Sequence, residues 1–275
     1  MDRAPEEVDF VRDMRARSQA EGGVFRTPEG ELAVFDPEVA QKINALNFAD
    51  LTLPDKLADL VRGRQGDPVS WKEVRSAFVA QLRRLSDAEG IGHLAGRMRE
   101  LIDERLGRSI DLVWAAQQVS TRALLPTVVD GLPPADRARI LRDQDFKLAR
   151  LVRTRSDGES SWKEVRAIWI QVSAGSAVRR ELRGRSRGRR PRRLDMTDPI
   201  VDLLPELGLD RAVDAVTTVL TAIAGPPGAA AASLLYELTR RSDWAARLTA
   251  ELAPLPPEQL YGAPVQSAPE THRFV

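Results

Sequence analysis

Apolar residues recur along most of this chain at intervals of three and four, the spacing that lines one face of an α-helix. Val8, Phe10, Val11 and Met14 begin the pattern among charged neighbours. They predict a helix from about Pro5 to Gln19, which Gly22-Gly23 stops. The pattern then changes. Val24–Thr27 and Leu32–Phe35 are short runs flanking the turn Pro28-Glu29-Gly30, which predicts a β-hairpin. Asp36-Pro37-Glu38 opens a helix through Val39, Ile43 and Leu46. Asp36 can accept from orphan N–H groups there, and a proline suits the first helical position. Residues 47 to 69 read as irregular, with a short helix near Lys56–Arg62.

Ser70 caps the next helix, with Glu73 completing a capping box, and Trp71, Val74, Phe78 and Leu82 share one face. Further helices are predicted over Asp87–Leu106, from Ile110 through residues 119–125, over Ala135 to about Val152, and over Trp162–Leu182. Asp198–Leu207 is short and apolar, Leu209–Arg240 reads as one long central helix, and Asp243–Leu252 as another. Gly131-Leu132-Pro133-Pro134 and Gly158–Ser161 punctuate the series, and the tail is rich in proline. The expected fold class is mainly α with a small β-hairpin, in a single domain over residues 1–275. SWKEVR occurs at Ser70–Arg75 and again at Ser161–Arg166, but the flanks differ and no duplicated domain follows.

Composition removes several kinds of chemistry. The chain has no cysteine, so it offers no disulfide, thiolate metal site, iron–sulfur cluster or cysteine nucleophile. Its two histidines, His93 and His272, have no partner cluster, which leaves no metal role and little for a catalytic triad. Lys+Arg number 41 against 40 Asp+Glu, so net charge calls for no polyanionic partner. The charged first residues do not read as a signal peptide. Ala212–Leu235 is interrupted by Asp214, threonines and Pro226-Pro227, and reads as a buried helix, so a cytoplasmic protein off the membrane is expected. The sharpest compositional feature is an arginine run: Arg179, Arg180, Arg183, Arg185, Arg187, Arg189, Arg190, Arg192 and Arg193. It can be an anion-binding patch or a solvated loop balanced by acids elsewhere. Without interleaved aromatics to stack on bases, the loop is the expected reading, and a nucleic-acid partner is not.

The order of these elements resembles a bacterial cytochrome P450. GVFRTPEGELAVFDPEVAQKI is similar to the first two strands of that family's sheet and the helix after them. VSWKEVRSAFVAQLRRL resembles the helix in which a Trp or His and an Arg four residues on hold a haem propionate. Those positions are Trp71 and Arg75, one turn apart on one face. A guanidinium can meet a carboxylate with two parallel hydrogen bonds and an indole N–H can add one. The residues alone also fit a core Trp beside a surface Arg. VDAVTTVLTAIAGPPGAAAASLLYELTRR resembles the long helix crossing the distal face of haem, with the Ala-Gly-x-x-Thr motif falling on Ala224, Gly225, Pro226, Pro227 and Gly228. APETHRFV resembles the entry to the helix that carries Glu-x-x-Arg.

The resemblance implies haem, held through Trp71, Arg75, Ala224, Gly225 and Gly228, a small organic substrate, a redox partner and monooxygenase activity in secondary metabolism. It also implies a Glu-x-x-Arg helix and a cysteine loop beyond the matched segments. Neither is present in these residues, so an incomplete domain with open apolar surface is expected. No axial thiolate is available, and Pro227 and Gly228 stand where an acid–alcohol pair would relay protons. An inactive chain is therefore the leading expectation. The alternative is a non-catalytic relative that stabilises a biosynthetic partner such as a glycosyltransferase; a fragment without function is the third reading.

Overall fold

A computed structural model describes residues 14, 16–27, 30–46, 69–152, 161–256, 259 and 264–274. The chain is mainly helical, with a small two-stranded antiparallel sheet. Its contacts group it into two compact units, residues 1–58 and 59–275.

In the first unit, residues 16–21 are helical and Gly22 and Gly23 end the helix at φ 84° and 79°. That region is open to glycine without steric cost. The Gly23 carbonyl then accepts from the Phe35 N–H at 2.6 Å, which starts the hairpin. Strands β1 (Val24–Arg26) and β2 (Leu32–Val34) pair antiparallel, with Val24 opposite Val34, Phe25 opposite Ala33 and Arg26 opposite Leu32. Phe25 is buried and stacks on Phe35 at 5.8 Å, with the Arg17 guanidinium 5.0 Å over its ring. Helix α1 (Pro37–Leu46) follows, capped as expected: Asp36 Oδ1 accepts from the N–H groups of Glu38 and Val39 at 2.9 and 3.0 Å. The helix start near Pro5, the turn residues Pro28 and Glu29, and the short helix near Lys56–Arg62 lie outside the described residues.

The second unit contains α2 (Trp71–Leu85), α3 (Ala88–Asp103), α4 (Leu112–Val128), α5 (Pro134–Val152), α6 (Ser161–Ser186), α7 (Asp198–Leu207), α8 (Leu209–Ala224), α9 (Pro226–Arg240), α10 (Ser242–Leu252), α11 (Pro264–Ser267) and α12 (Pro269–Phe274). The predicted capping box at α2 is present: Glu73 Oε2 accepts from the Ser70 N–H at 2.7 Å, and Ser70 Oγ accepts from the Glu73 N–H. Asp87 and Asp111 cap α3 and α4 in the same manner, accepting from Gly90 and Trp114 N–H groups at 2.7 and 2.9 Å. The buried face of α2 is centred on Val74, Phe78 and Gln81, which leaves Leu82, grouped by its spacing with Val74 and Phe78, 44% exposed.

Two helices form the middle of the unit. Helix α8 packs on α4, α5, α6, α7 and α9, and α4 packs on α3, α5, α8 and α9. Their shared core includes Leu125, Val128, Ile140, Leu182, Ala212 and Val216. The predicted single helix over Leu209–Arg240 is two helices broken at Gly225. Pro226 and Pro227 bring no N–H to continue α8, and a proline at the first position of α9 starts the next helix instead. Leu209–Arg240 is long and apolar enough to cross a membrane by length and composition alone. Ala212, Val216 and Leu220 lie in the protein core. At the far end, Glu251 on α10 caps α12, accepting from the N–H groups of Glu270 and Thr271 at 2.8 and 2.7 Å. Trp244 packs on Phe274 with ring centres 5.4 Å apart.

Candidate functional site

The five residues that the resemblance assigns to haem fall in two places. Trp71 and Arg75 lie in the first two turns of α2. Trp71 is half-buried and packs against the main core, while Arg75 is exposed and makes no side-chain hydrogen bond or ion pair among the described residues. Ala224, Gly225 and Gly228 are buried at the break between α8 and α9. The Ala224 carbonyl accepts the Thr121 hydroxyl of α4 at 3.1 Å. A Cβ on Gly228 would stand 2.5 Å from the Gln117 Cα of the same helix. Glycine is needed at Gly228 because two helix backbones touch there. Two of the five positions thus meet α4, and α2 packs on α7. Clefts of about 260 and 150 Å³ open elsewhere, around His93 and Arg97 and around Leu125 and Leu132, and none of the five lines either.

The arginine run, expected as a solvated loop balanced by acids elsewhere, is a clasp of ion pairs around one buried arginine. Helix α6 continues through it to Ser186, and Gly188 at φ 66° turns the chain back. Arg185 is fully buried. Its Nη1 and Nη2 donate to the two Asp195 carboxylate oxygens at 2.8 and 2.7 Å, its Nε donates to Glu181 at 2.8 Å, and its Nη2 also reaches the Asp130 carbonyl at 2.9 Å. Asp195 accepts in addition from the N–H groups of Asp130, Thr197 and Asp198, at 2.7, 3.1 and 3.0 Å. Gln81 donates to its carbonyl at 2.9 Å, which ties α2 to the clasp. Around this centre Arg190 pairs with Glu181, Arg180 and Arg139 with Asp136, Arg192 with Asp198 and Asp202, and Arg193 with Asp130.

Burial alone opposes both charges of the central pair. At Arg185 it lowers the affinity for the proton, but the bonds to Asp195 and Glu181 raise it by more. At Asp195 burial pushes the carboxyl up, and Arg185 with the backbone N–H groups only partly offsets this. Those two shifts point to opposite states for one pair. The bidentate guanidinium and three N–H groups all serve the carboxylate, and that donor set decides for the ionised form. At Asp136, burial pushes the carboxyl up and Arg180 and Arg139 pull it below its ordinary value. The network accounts for the buried acids Asp136, Glu181 and Asp195 without calling on catalysis.

One face of α6 has no such account. Val165, Ile168, Trp169 and Val172 recur at helix spacing and are 56–63% exposed. Their opposite face, including Ala174, Ala177, Val178 and Leu182, is buried against the core. No ionisable residue occurs from Ala167 to Val178. Periodicity flagged the helix but could not assign its two apolar sides to core and solvent. The legible signal was a helix apolar around much of its circumference beside neighbours with a single apolar face. Comparison with protein-family models, with curated proteins and with solved structures finds no match.

Proposed function

We propose that this chain is a cytochrome P450-like helical protein of the cytoplasm that works by holding a partner protein, and not by oxygen chemistry of its own. The observation that carries the reading is the outer face of α6, four large apolar side chains in a row with Trp169 63% exposed. Soluble proteins tend to keep contiguous apolar patches for interaction sites, and tryptophan is enriched where partners bind most tightly. The P450 likeness rests on the sequence: the hairpin, the capped helix with Trp71 and Arg75, and the apolar stretch broken at Gly225. No thiolate is available in these residues for oxygen activation. A biosynthetic enzyme such as a glycosyltransferase is the partner this reading favours.

Two measurements test it. In a hemin titration of the full chain, no saturable Soret band is expected. A stoichiometric band that Trp71→Ala and Arg75→Ala both weaken would replace this reading with haem binding, and with the substrate and redox partner that go with it. In co-expression with a panel of bacterial glycosyltransferases, soluble yield and half-life of one of them should rise several-fold. Unchanged yield and half-life for each would count against a stabilising role.

A further inference from the structure

The outer face of α6 does not stop at its apolar half. A helix advances about 1.5 Å per residue and turns about 100°. On that count Arg179 and Arg183 fall on the same side as Val165, Ile168, Trp169 and Val172, with Gly175 and Ser176 between. Arg183 lies 14 residues beyond Trp169, a distance of about 21 Å along the axis. Arg183, Arg187 and Arg189 are exposed and make no side-chain hydrogen bond or ion pair among the described residues. Their neighbours differ: Arg179, Arg180, Arg185, Arg190, Arg192 and Arg193 are all committed to carboxylates. The run is thus sorted, with six of its nine arginines drawn into ion pairs and three left exposed at the end of an apolar stripe.

We propose that this face is a docking site for an acidic amphipathic segment of a partner protein. The segment's apolar residues cover Val165, Ile168, Trp169 and Val172, and its carboxylates meet Arg183, Arg187 and Arg189. The proposal rests on the protein-binding reading above and supplies the chemistry of the partner. Charge complementarity selects this occupant. A second copy of the chain would bring arginines to arginines in a parallel pairing, and in an antiparallel one centred on Ile168 and Trp169 it would cover the apolar stripes but leave Arg183, Arg187 and Arg189 without carboxylates from that stripe. An anionic bilayer is broad and flat, and would also meet Asp210, 80% exposed and held by Arg179 on this face, and Asp202, 68% exposed on the adjoining α7. A narrow segment can pass those carboxylates and still reach both ends.

The probe is a synthetic helical peptide with leucines at i, i+3, i+4 and i+7 in its first half and glutamates on the same side in its second. Its counterpart carries lysines for the glutamates. Titrated into the full chain and followed by tryptophan fluorescence and calorimetry, the acidic peptide should bind at micromolar concentrations, more weakly as salt rises, and the lysine peptide at least tenfold more weakly. The variants I168S/W169S and R183E/R187E/R189E should each lose binding at least tenfold while keeping the helical circular dichroism of the parent, since all five side chains are exposed. Equal binding of the two peptides, wild-type affinity in the charge-reversed variant, or no binding at millimolar peptide would overturn the proposal. So would binding to vesicles of phosphatidylcholine and phosphatidylserine at 70:30 with none to the peptide. If the same variants still stabilise a co-expressed partner as the parent does, the face is misassigned and the scaffold reading survives; if the parent stabilises none, both fall.

Discussion

Arg185 stands at the centre of the buried ion-pair network. Its guanidinium is buried and bonds Asp195, Glu181 and the Asp130 carbonyl. Removing one member of a buried pair strands the other charge, which costs about 3–5 kcal/mol. Arg185→Met should therefore lower the urea midpoint by that free energy without changing the denaturant slope. Arg185→Lys should recover only part of it, because an ammonium cannot reproduce the fork that meets both Asp195 oxygens. A variant as stable as the parent would show that the clasp is not ionised. Asp136 makes a separate prediction about pH. Its folded carboxyl lies below its ordinary value, so its ionised form stabilises the fold, and that contribution is full above about 3.8 and fades as pH falls through the folded value. Thermal melts from pH 6 to pH 2.5 should show an acid loss that D136N lacks, D136N being less stable at pH 6 and closer to the parent at the acid end.

At the scale of elements, the α4–α9 contact turns on Gly228, where any side chain meets the Gln117 backbone. Gly228→Ala should cost about 1–3 kcal/mol through overpacking, and Gly228→Val more. Gly175, with open space around it, provides the control: Gly175→Ala should be neutral or stabilising by the helix propensity gained. Equal effects at both sites would mean that α9 can shift away from α4 freely. These two glycines also mark what was legible in the sequence. Capping chemistry was local and readable: Asp36, Ser70 and Glu73 sit where their spacing put them. The hairpin was readable because its turn signals and short apolar runs agree. A break at Gly225 was readable from Pro226-Pro227, which bring no N–H to continue the helix, whereas a kink and two separate helices leave the same trace in the sequence. The clasp was not readable at all. Which of nine arginines is buried depends on a carboxylate 10 residues away, at Asp195, and a backbone carbonyl 55 residues away, at Asp130, and a one-dimensional run of like charges carries no record of them.

For the whole molecule, the division into two compact units has a consequence that the core makes specific. Every member of the main hydrophobic cluster, from Val69 to Leu220, belongs to residues 59–275, and the clasp and both central helices do too. The first unit keeps its own small apolar centre around Phe25 and Phe35, with Arg17 over the ring. A unit that owns its core and the partners of its buried charges meets the conditions for folding alone. A chain beginning at Asp59 should therefore keep its helical circular dichroism and unfold cooperatively, within about 5 °C of the full chain's transition, because a 1 kcal/mol change moves a domain of this size by about 2–4 °C. A drop much beyond that, or loss of the sigmoidal transition, would mean that residues 1–58 supply stability to the larger unit. The comparison also bears on α6, since its outer face lies wholly within residues 59–275. If the shorter chain folds and binds the acidic peptide as the full chain does, the helical unit is sufficient for docking. If it folds but fails to bind, part of the recognition belongs to the hairpin unit, and the apolar stripe with its three outward arginines is only one portion of the surface.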